Sequence, residues 1–222
     1  MRLNNQLNQH LLVDNNTIRN LVAEIKGCDD IIIEIGPGTG NITKELLNKT
    51  NRLTVIEKDK DFAEKLSIKY GDRITVVNED FLKYKIPEGS ILVGNIPFNI
   101  TEPLIEKMIR NNILFAVFVV GNKFAESVET NDSKLSLLVN SFFSMQVLQA
   151  INKKLFSPVP RTNAKLIKLT PKISKDIKLM IFRELFVQRD KILRNFTFGD
   201  LDKELTLMSI RDALEEADKC QK

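Results

Sequence analysis

The sequence predicts an α/β fold: a mainly parallel sheet with helices on both faces, an antiparallel pair closing one edge, and a helical tail. Three observations predict it. Short β-branched apolar runs alternate with stretches of helical spacing up to Phe142, which is the pattern of a parallel sheet covered on both sides. The last two strand-like runs have no helix between them, so they pair antiparallel. Beyond Pro171 the pattern is helical only. The chain therefore divides into a core over residues 1–172 and a small C-terminal part over residues 173–222.

The elements follow in order. Asp14 caps a helix whose face is Ile18, Leu21, Val22 and Ile25, and Gly27 ends it. Ile31 to Ile35 is a buried strand. Ile42, Leu46 and Leu47 mark a helix, Leu53 to Ile56 a second strand, and Phe62 and Leu66 a second such helix. Ile74 to Val77 and Ile91 to Val93 are strands three and four. Thr101, Glu102 and Pro103 open a helix with Leu104, Ile105, Met108 and Ile109 inward. Leu114 to Val120 is the fifth strand, and Leu135, Leu138, Val139 and Phe142 form another helix face. Val147 to Ile151 and Ala164 to Leu169 are the closing pair, joined through Phe156-Ser157-Pro158-Val159-Pro160.

Composition bounds the function. The 222 residues are 43% hydrophobic and 28% charged, the make-up of a soluble globular protein. The longest apolar run, Ile113 to Val120, is far short of the ~20 residues of a membrane helix, and the first ten residues hold no signal-peptide core. Two cysteines and one histidine exclude a disulfide framework, a zinc site and a His-rich cluster. The expectation is a cytoplasmic, metal-free monomer without membrane partners. The net charge of +4 is unevenly spread: residues 152–199 carry 12 Lys/Arg against 3 Asp/Glu, an excess that attracts polyanions.

The chemistry collects at strand ends. Glu34-Ile35-Gly36-Pro37-Gly38-Thr39-Gly40 follows the first strand and precedes a helix, where glycines let a backbone approach a ligand closely. Glu57 ends the second strand, about 20 residues past the loop, in position to accept hydrogen bonds from ribose hydroxyls. Asp80 follows the third strand and suits an adenine amino group. Singly, Glu57 and Asp80 equally fit helix caps. Together with the turn after strand four they lie where an open α/β sheet binds nucleoside cofactors. The G-x-G-x-G spacing, with Gly36 and Gly38 preceded by an acid, points to S-adenosylmethionine rather than a dinucleotide. Glu34 either orients the loop or meets the methionine ammonium through water.

Strand four runs into Asn95-Ile96-Pro97-Phe98. Adenine N6 is a weak nucleophile because its lone pair is delocalised into the ring. The Asn95 side-chain oxygen and the Ile96 carbonyl can accept its two protons and direct the lone pair at a methyl donor. Pro97 fixes the turn, and Phe98 offers a stacking face. Acceptors at this point share the positive charge that develops on nitrogen, so catalysis is positioning plus electrostatics. Asn95 also borders the cofactor side of the site.

At these residues the sequence resembles the ribosomal RNA adenine N6,N6-dimethyltransferase family. EIGPGTG (34–40), VIEKD (55–59), the Asp80 turn and NIPFNIT (95–101) match its motifs in order and spacing. The resemblance implies a seven-strand Rossmann-like S-adenosylmethionine-dependent methyltransferase core with a small, shortened helical C-terminal domain. It implies transfer of two methyl groups to each target adenine. Gln9 to Asp14 resembles the family's lead-in segment, so His10 and Leu12 are implied to contact S-adenosyl-L-methionine. FSPVPRTNAKLIKL (156–169), with Arg161, resembles its Pro-rich turn and last strand, and residues 186–195 resemble its basic C-terminal helix. Arg161, Arg189, Lys191 and Arg194 are the implied RNA contacts. The partner implied is ribosomal RNA in a small-subunit precursor during ribosome maturation. Phe118 to Val128 replaces the family's usual charged Gln-Lys-Glu stretch.

The alternatives are a large-subunit ribosomal RNA adenine methyltransferase of the resistance type and a non-catalytic nucleic-acid-binding relative. A nicotinamide-dependent dehydrogenase is disfavoured by the glycine spacing. The intact Asn95, Pro97 and Phe98 set disfavours a scaffold, which has no use for those acceptors.

Overall fold

A computed structural model describes residues 10–26, 30–131 and 133–172, without the side chains of Phe98 and Lys134. The helix stop expected at Gly27 and the helical C-terminal part, with Arg189, Lys191 and Arg194, lie outside the described residues. The elements are β1 (Leu11–Leu12), α1 (Asn15–Ala23), β2 (Ile32–Ile35), α2 (Asn41–Leu46), β3 (Leu53–Glu57), α3 (Lys60–Tyr70), β4 (Thr75–Asn78), β5 (Ser90–Asn95), α4 (Thr101–Ile109), β6 (Ile113–Gly121), α5 (Asn122–Thr130), α6 (Lys134–Phe142), β7 (Phe143–Ile151), β8 (Phe156–Ser157) and β9 (Ala164–Pro171).

Seven strands form one sheet in the order β4-β3-β2-β5-β6-β9-β7. The first five in that order are parallel. β9 runs antiparallel between β6 and β7. The expected closing pair is therefore present, with the later strand inserted inside the earlier one. From β2 the chain winds outward through β3 and β4, then returns to lay β5 on the other side of β2. That reversal opens a crevice at the carboxyl ends of β2 and β5, where such sheets bind ligands.

Alternation along the strands sorts the core into two layers. Ile33, Ile35, Leu92, Phe118 and Val120 face α4, α5 and α6 through Leu104, Met108, Val128 and Leu138. Ile32, Val55, Val93, Val117 and Val119 face α1, α2 and α3 through Ile18, Leu21, Leu46 and Leu66. All four residues of β2 are buried, as a central parallel strand requires. The Asp14 cap forms as expected, with its carboxylate accepting from the backbone N–H of Thr17 at 2.8 Å and its hydroxyl at 2.7 Å.

Three features depart from the sequence reading. The stretch 118–128 passes from the end of β6 into helix α5, in which Ala125 and Val128 are the buried positions; one apolar turn is too weak a period to announce a helix. β7 begins at Phe143, four residues before the expected Val147. No turn separates it from α6, and its exposed edge position leaves Ser144, Gln146 and Val147 on the surface. Finally, Phe156 and Ser157 are more than a connection. They pair antiparallel with Leu12 and Leu11 as a small separate sheet.

Candidate active site

The glycine loop is built by backbone geometry. Gly36, Gly38 and Gly40 all have positive φ, at 61°, 55° and 80°, a region that L side chains enter at a cost of about 1–2 kcal/mol. A Cβ on Gly38 would lie 2.7 Å from the Leu11 Cδ2, whereas one on Gly36 would meet nothing within 4 Å. The loop thus packs against the lead-in strand at Gly38 and is open at Gly36. Tyr70 at the end of α3 donates its hydroxyl to the Gly40 carbonyl at 3.1 Å, holding the start of α2.

Two buried carboxylates stand behind the loop. Glu57 accepts from the Gly38 N–H at 3.0 Å and from the Asp59 N–H at 2.9 Å. It is 5% exposed, and burial raises its pKa. Glu34 is 1% exposed. Its Oε2 accepts from the Thr43 hydroxyl at 2.6 Å, while its Oε1 is buried with no hydrogen-bond partner among the described residues. Burial, opposed by the Thr43 bond and reinforced by the nearby Glu57 charge, pushes Glu34 up to about 8.

Asp80 follows β4. Its Oδ1 accepts from the Leu82 N–H at 3.0 Å, and its Oδ2 takes the Lys58 ammonium at 2.9 Å. Lys58 follows Glu57 at the end of β3, so this ion pair joins the ends of two adjacent strands and lowers the Asp80 pKa.

The lead-in segment closes the crevice from above. Asn95 donates its side-chain amide to the His10 carbonyl. A carbonyl can only accept, so the amide nitrogen must face it and the Asn95 Oδ1 is left pointing elsewhere. The same logic assigns the His10 Nδ1 proton, which bonds the Pro158 carbonyl at 2.9 Å. Asn41 donates to the Leu12 carbonyl at 2.9 Å, and the Val13 N–H donates to the Leu155 carbonyl at 3.0 Å. The Leu12 side chain is 3% exposed, in the core. Ile96 is also buried and is anchored through its N–H to the Val119 carbonyl at 2.9 Å. The Pro97 carbonyl accepts from Ile100 at 3.1 Å, which rounds the turn. The stacking face expected of Phe98 lies outside what the structure describes.

The structure thus gathers His10, Glu34, Gly36, Gly38, Glu57, Asp80 and Asn95 to Pro97 along one end of the sheet. Arg161 stands apart, exposed ahead of β9. Sequence reasoning missed Thr43, Asn41, Lys58 and Leu11. The polar Asn41 and Thr43 in the first turn of a helix packed on the core were the available signal. Among the described residues no cluster of metal-ligating side chains is present, and no helix is long and apolar enough to cross a membrane.

Comparison with known proteins gives this geometry a family. The sequence matches that of ribosomal RNA adenine dimethylase over residues 1–221. It is 31% identical to the "Probable ribosomal RNA small subunit methyltransferase A" of Methanopyrus kandleri over 88% of this chain and 76% of the relative. It is 34% identical to the "Ribosomal RNA small subunit methyltransferase A" of Nitrosomonas europaea over 84% of this chain and 80% of the relative. Among solved structures, the fold is similar to that of 23S rRNA methyltransferase ErmE, with TM-score 0.70 and 25% identity, covering 84% of this chain and 85% of that one. A dimethyladenosine transferase from Plasmodium falciparum superposes with TM-score 0.68 at 27% identity, covering 80% of this chain and 69% of that one. A glycine loop backed by two buried carboxylates, facing an asparagine turn across a topological switch point, therefore has its counterpart in sequence: the chain belongs to the ribosomal RNA adenine dimethylase family.

Proposed function

We propose that this protein binds S-adenosyl-L-methionine in the β2–β5 crevice and dimethylates adenine N6 in small-subunit ribosomal RNA. The observation that carries the reading is the orientation of Asn95. With its amide nitrogen committed to His10, its oxygen is the atom offered to an incoming base.

The residues fit the cofactor. Glu34 holds a buried, unpartnered acceptor oxygen, which suits the methionine ammonium or a water bridging to it. Gly36 leaves open space beside the loop. Glu57 ends β3 opposite Asn78, and Asp80 lies two residues beyond the end of β4, placed for a ribose and an adenine amine respectively. Each also has a structural bond, Glu57 to the loop and Asp80 to Lys58. A carboxylate has about four lone-pair sites, so neither bond precludes a second partner.

When bound, the cofactor supplies a sulfonium methyl whose transfer releases a neutral thioether. Asn95 Oδ1 and the Ile96 carbonyl accept the N6 protons, hold the lone pair toward that methyl, and stabilise the charge that grows on nitrogen. Nitrogen then sheds one proton to solvent water at each transfer. Pro97 fixes the turn, Phe98 supplies the stacking face, and the lead-in segment at His10 and Leu12 shields the crevice. The working unit proposed is a cytoplasmic monomer. Arg161, Arg189, Lys191 and Arg194 contact RNA phosphates. The small-subunit target is supported by the printed names of the curated relatives, against one structural neighbour that acts on 23S RNA.

The test is incubation of the full chain with methyl-labelled cofactor and unmodified small- and large-subunit ribosomal RNA transcripts or precursor particles, followed by nucleoside mass spectrometry. N6,N6-dimethyladenosine in the small-subunit RNA is expected. Label in the large-subunit RNA alone would transfer the reading to the resistance type, and no label in either would defeat it.

A further inference from the structure

We infer that the core itself carries a phosphate-binding rail, made by Lys123, Lys153, Lys154 and Arg161, along which the substrate RNA strand approaches Asn95. The inference rests on the RNA reading above and names the surface of the core that serves it.

The rail follows from strand register. Gly121, Ala164 and Ile151 stand opposite one another at the ends of β6, β9 and β7. Asn95 pairs with Val119, two residues short of Gly121, so all three ends face the same side of the molecule as the site. From neighbouring strand spacings, the row β6-β9-β7 lies about 5–15 Å sideways from Asn95 and about 7 Å further out. Directly beyond these ends come Lys123, Lys153 with Lys154, and Arg161, all four exposed.

The backbone beneath these cations is fixed. The Asn163 carbonyl accepts from the Asn122 N–H at 3.0 Å, and its side-chain oxygen accepts from the Lys153 N–H at 3.1 Å. Asn152 caps the Lys154 N–H at 2.9 Å. Lys153 Nζ reaches the Arg161 carbonyl at 3.4 Å, drawing those two segments together. Of the acids close by, Glu129 is ion-paired with Lys165 at 3.1 Å, while Glu126 accepts from the neutral Asn122 amide at 2.6 Å and keeps its charge. Among the described residues none of the four cations has an acidic partner. Four positive charges on a fixed edge outweigh that one carboxylate and leave a net positive surface for successive phosphates.

The experiment replaces all four in the full chain, K123Q/K153Q/K154Q/R161Q, and measures binding of an unmodified small-subunit ribosomal RNA transcript across a salt series. Binding of S-adenosylmethionine and the melting temperature serve as folding controls, since none of these residues touches the glycine loop. The expected result is a loss of RNA affinity of about tenfold or more at 0.1 M salt. The slope of log affinity against log salt should fall by about two to three. RNA affinity and slope equal to the parent protein's would overturn the rail. So would a defect confined to protein-containing particles, which would assign the edge to a protein partner. Failure of the parent protein to methylate any transcript is a different result, and it would defeat the function proposed above.

Discussion

The side-chain amide of Asn95, at the end of β5, donates to the backbone carbonyl of His10, 85 residues earlier in the chain. One hydrogen bond thereby fixes two things: which atom of Asn95 faces the base, and where the lead-in segment sits. Substitution tests the first of these. Asn95→Ala is expected to reduce methyl transfer at least 10²–10³-fold, the usual loss for a preorganised acceptor or donor at a transition state. Binding of S-adenosylmethionine should change by less than tenfold, as titration calorimetry would show. An Asn95→Ala enzyme with parental turnover would remove the residue from the chemistry.

Gly38 makes the second prediction. Its positive φ and the 2.7 Å approach of Leu11 act together against any side chain. Gly38→Ala should weaken cofactor binding and lower the melting temperature. Adding Leu11→Ala should relieve only the steric part. Gly36→Ala, at a similar φ of 61° but in open space, should cost only the backbone strain, about 1–2 kcal/mol. Comparing the three melting temperatures with and without cofactor checks the assignment.

Glu34 gives a pH signature. Its folded-state pKa, about 8, lies above the ordinary carboxylate value, so the fold favours the protonated form. Its contribution to stability is fully present below the unfolded value of about 4.3 and is lost as pH rises through about 8. Glu34→Gln, which keeps the shape and cannot ionise, should flatten the decline in melting temperature between those limits. If wild type and Glu34→Gln fall in parallel across the window, the carboxyl is ionised throughout.

The fourth prediction concerns the tail. Charge reversal at Arg189, Lys191 and Arg194 should weaken RNA binding and flatten its salt dependence, while cofactor affinity stays at the parental value. Filter binding across a salt series reads both quantities. Parental RNA affinity would place the RNA surface wholly on the core.

Much of this was legible in the amino-acid order because the central strands are buried on both faces. Ile31 to Ile35, apolar except for Glu34, and Ala116 to Val120 are apolar runs for that reason. The Asp14 cap and the Pro103 helix start are local rules that tertiary structure left in force. β7 was half hidden, since an edge strand exposed along most of its length needs no apolar period. The site shows the same division. Glu34, Glu57, Asp80 and Asn95 sit at strand ends that periodicity locates. Lys58 on Asp80 and Thr43 on Glu34 are side-chain meetings between elements, and no local pattern encodes them. The pairing of β1 with β8 was the hardest of all, because two residues carry no period.

That two-rung ladder has a thermodynamic consequence. It is two residue pairs long and is flanked by the His10–Pro158 and Val13–Leu155 bonds. Few hydrogen bonds therefore oppose its opening, whereas the seven-strand sheet beneath is reinforced on both faces. Fraying therefore starts at Leu11 and Ser157 well below the temperature at which the sheet melts. Amide exchange at Leu11 and Ser157 is accordingly expected to outpace that of the central strands while the rest of the architecture stays folded.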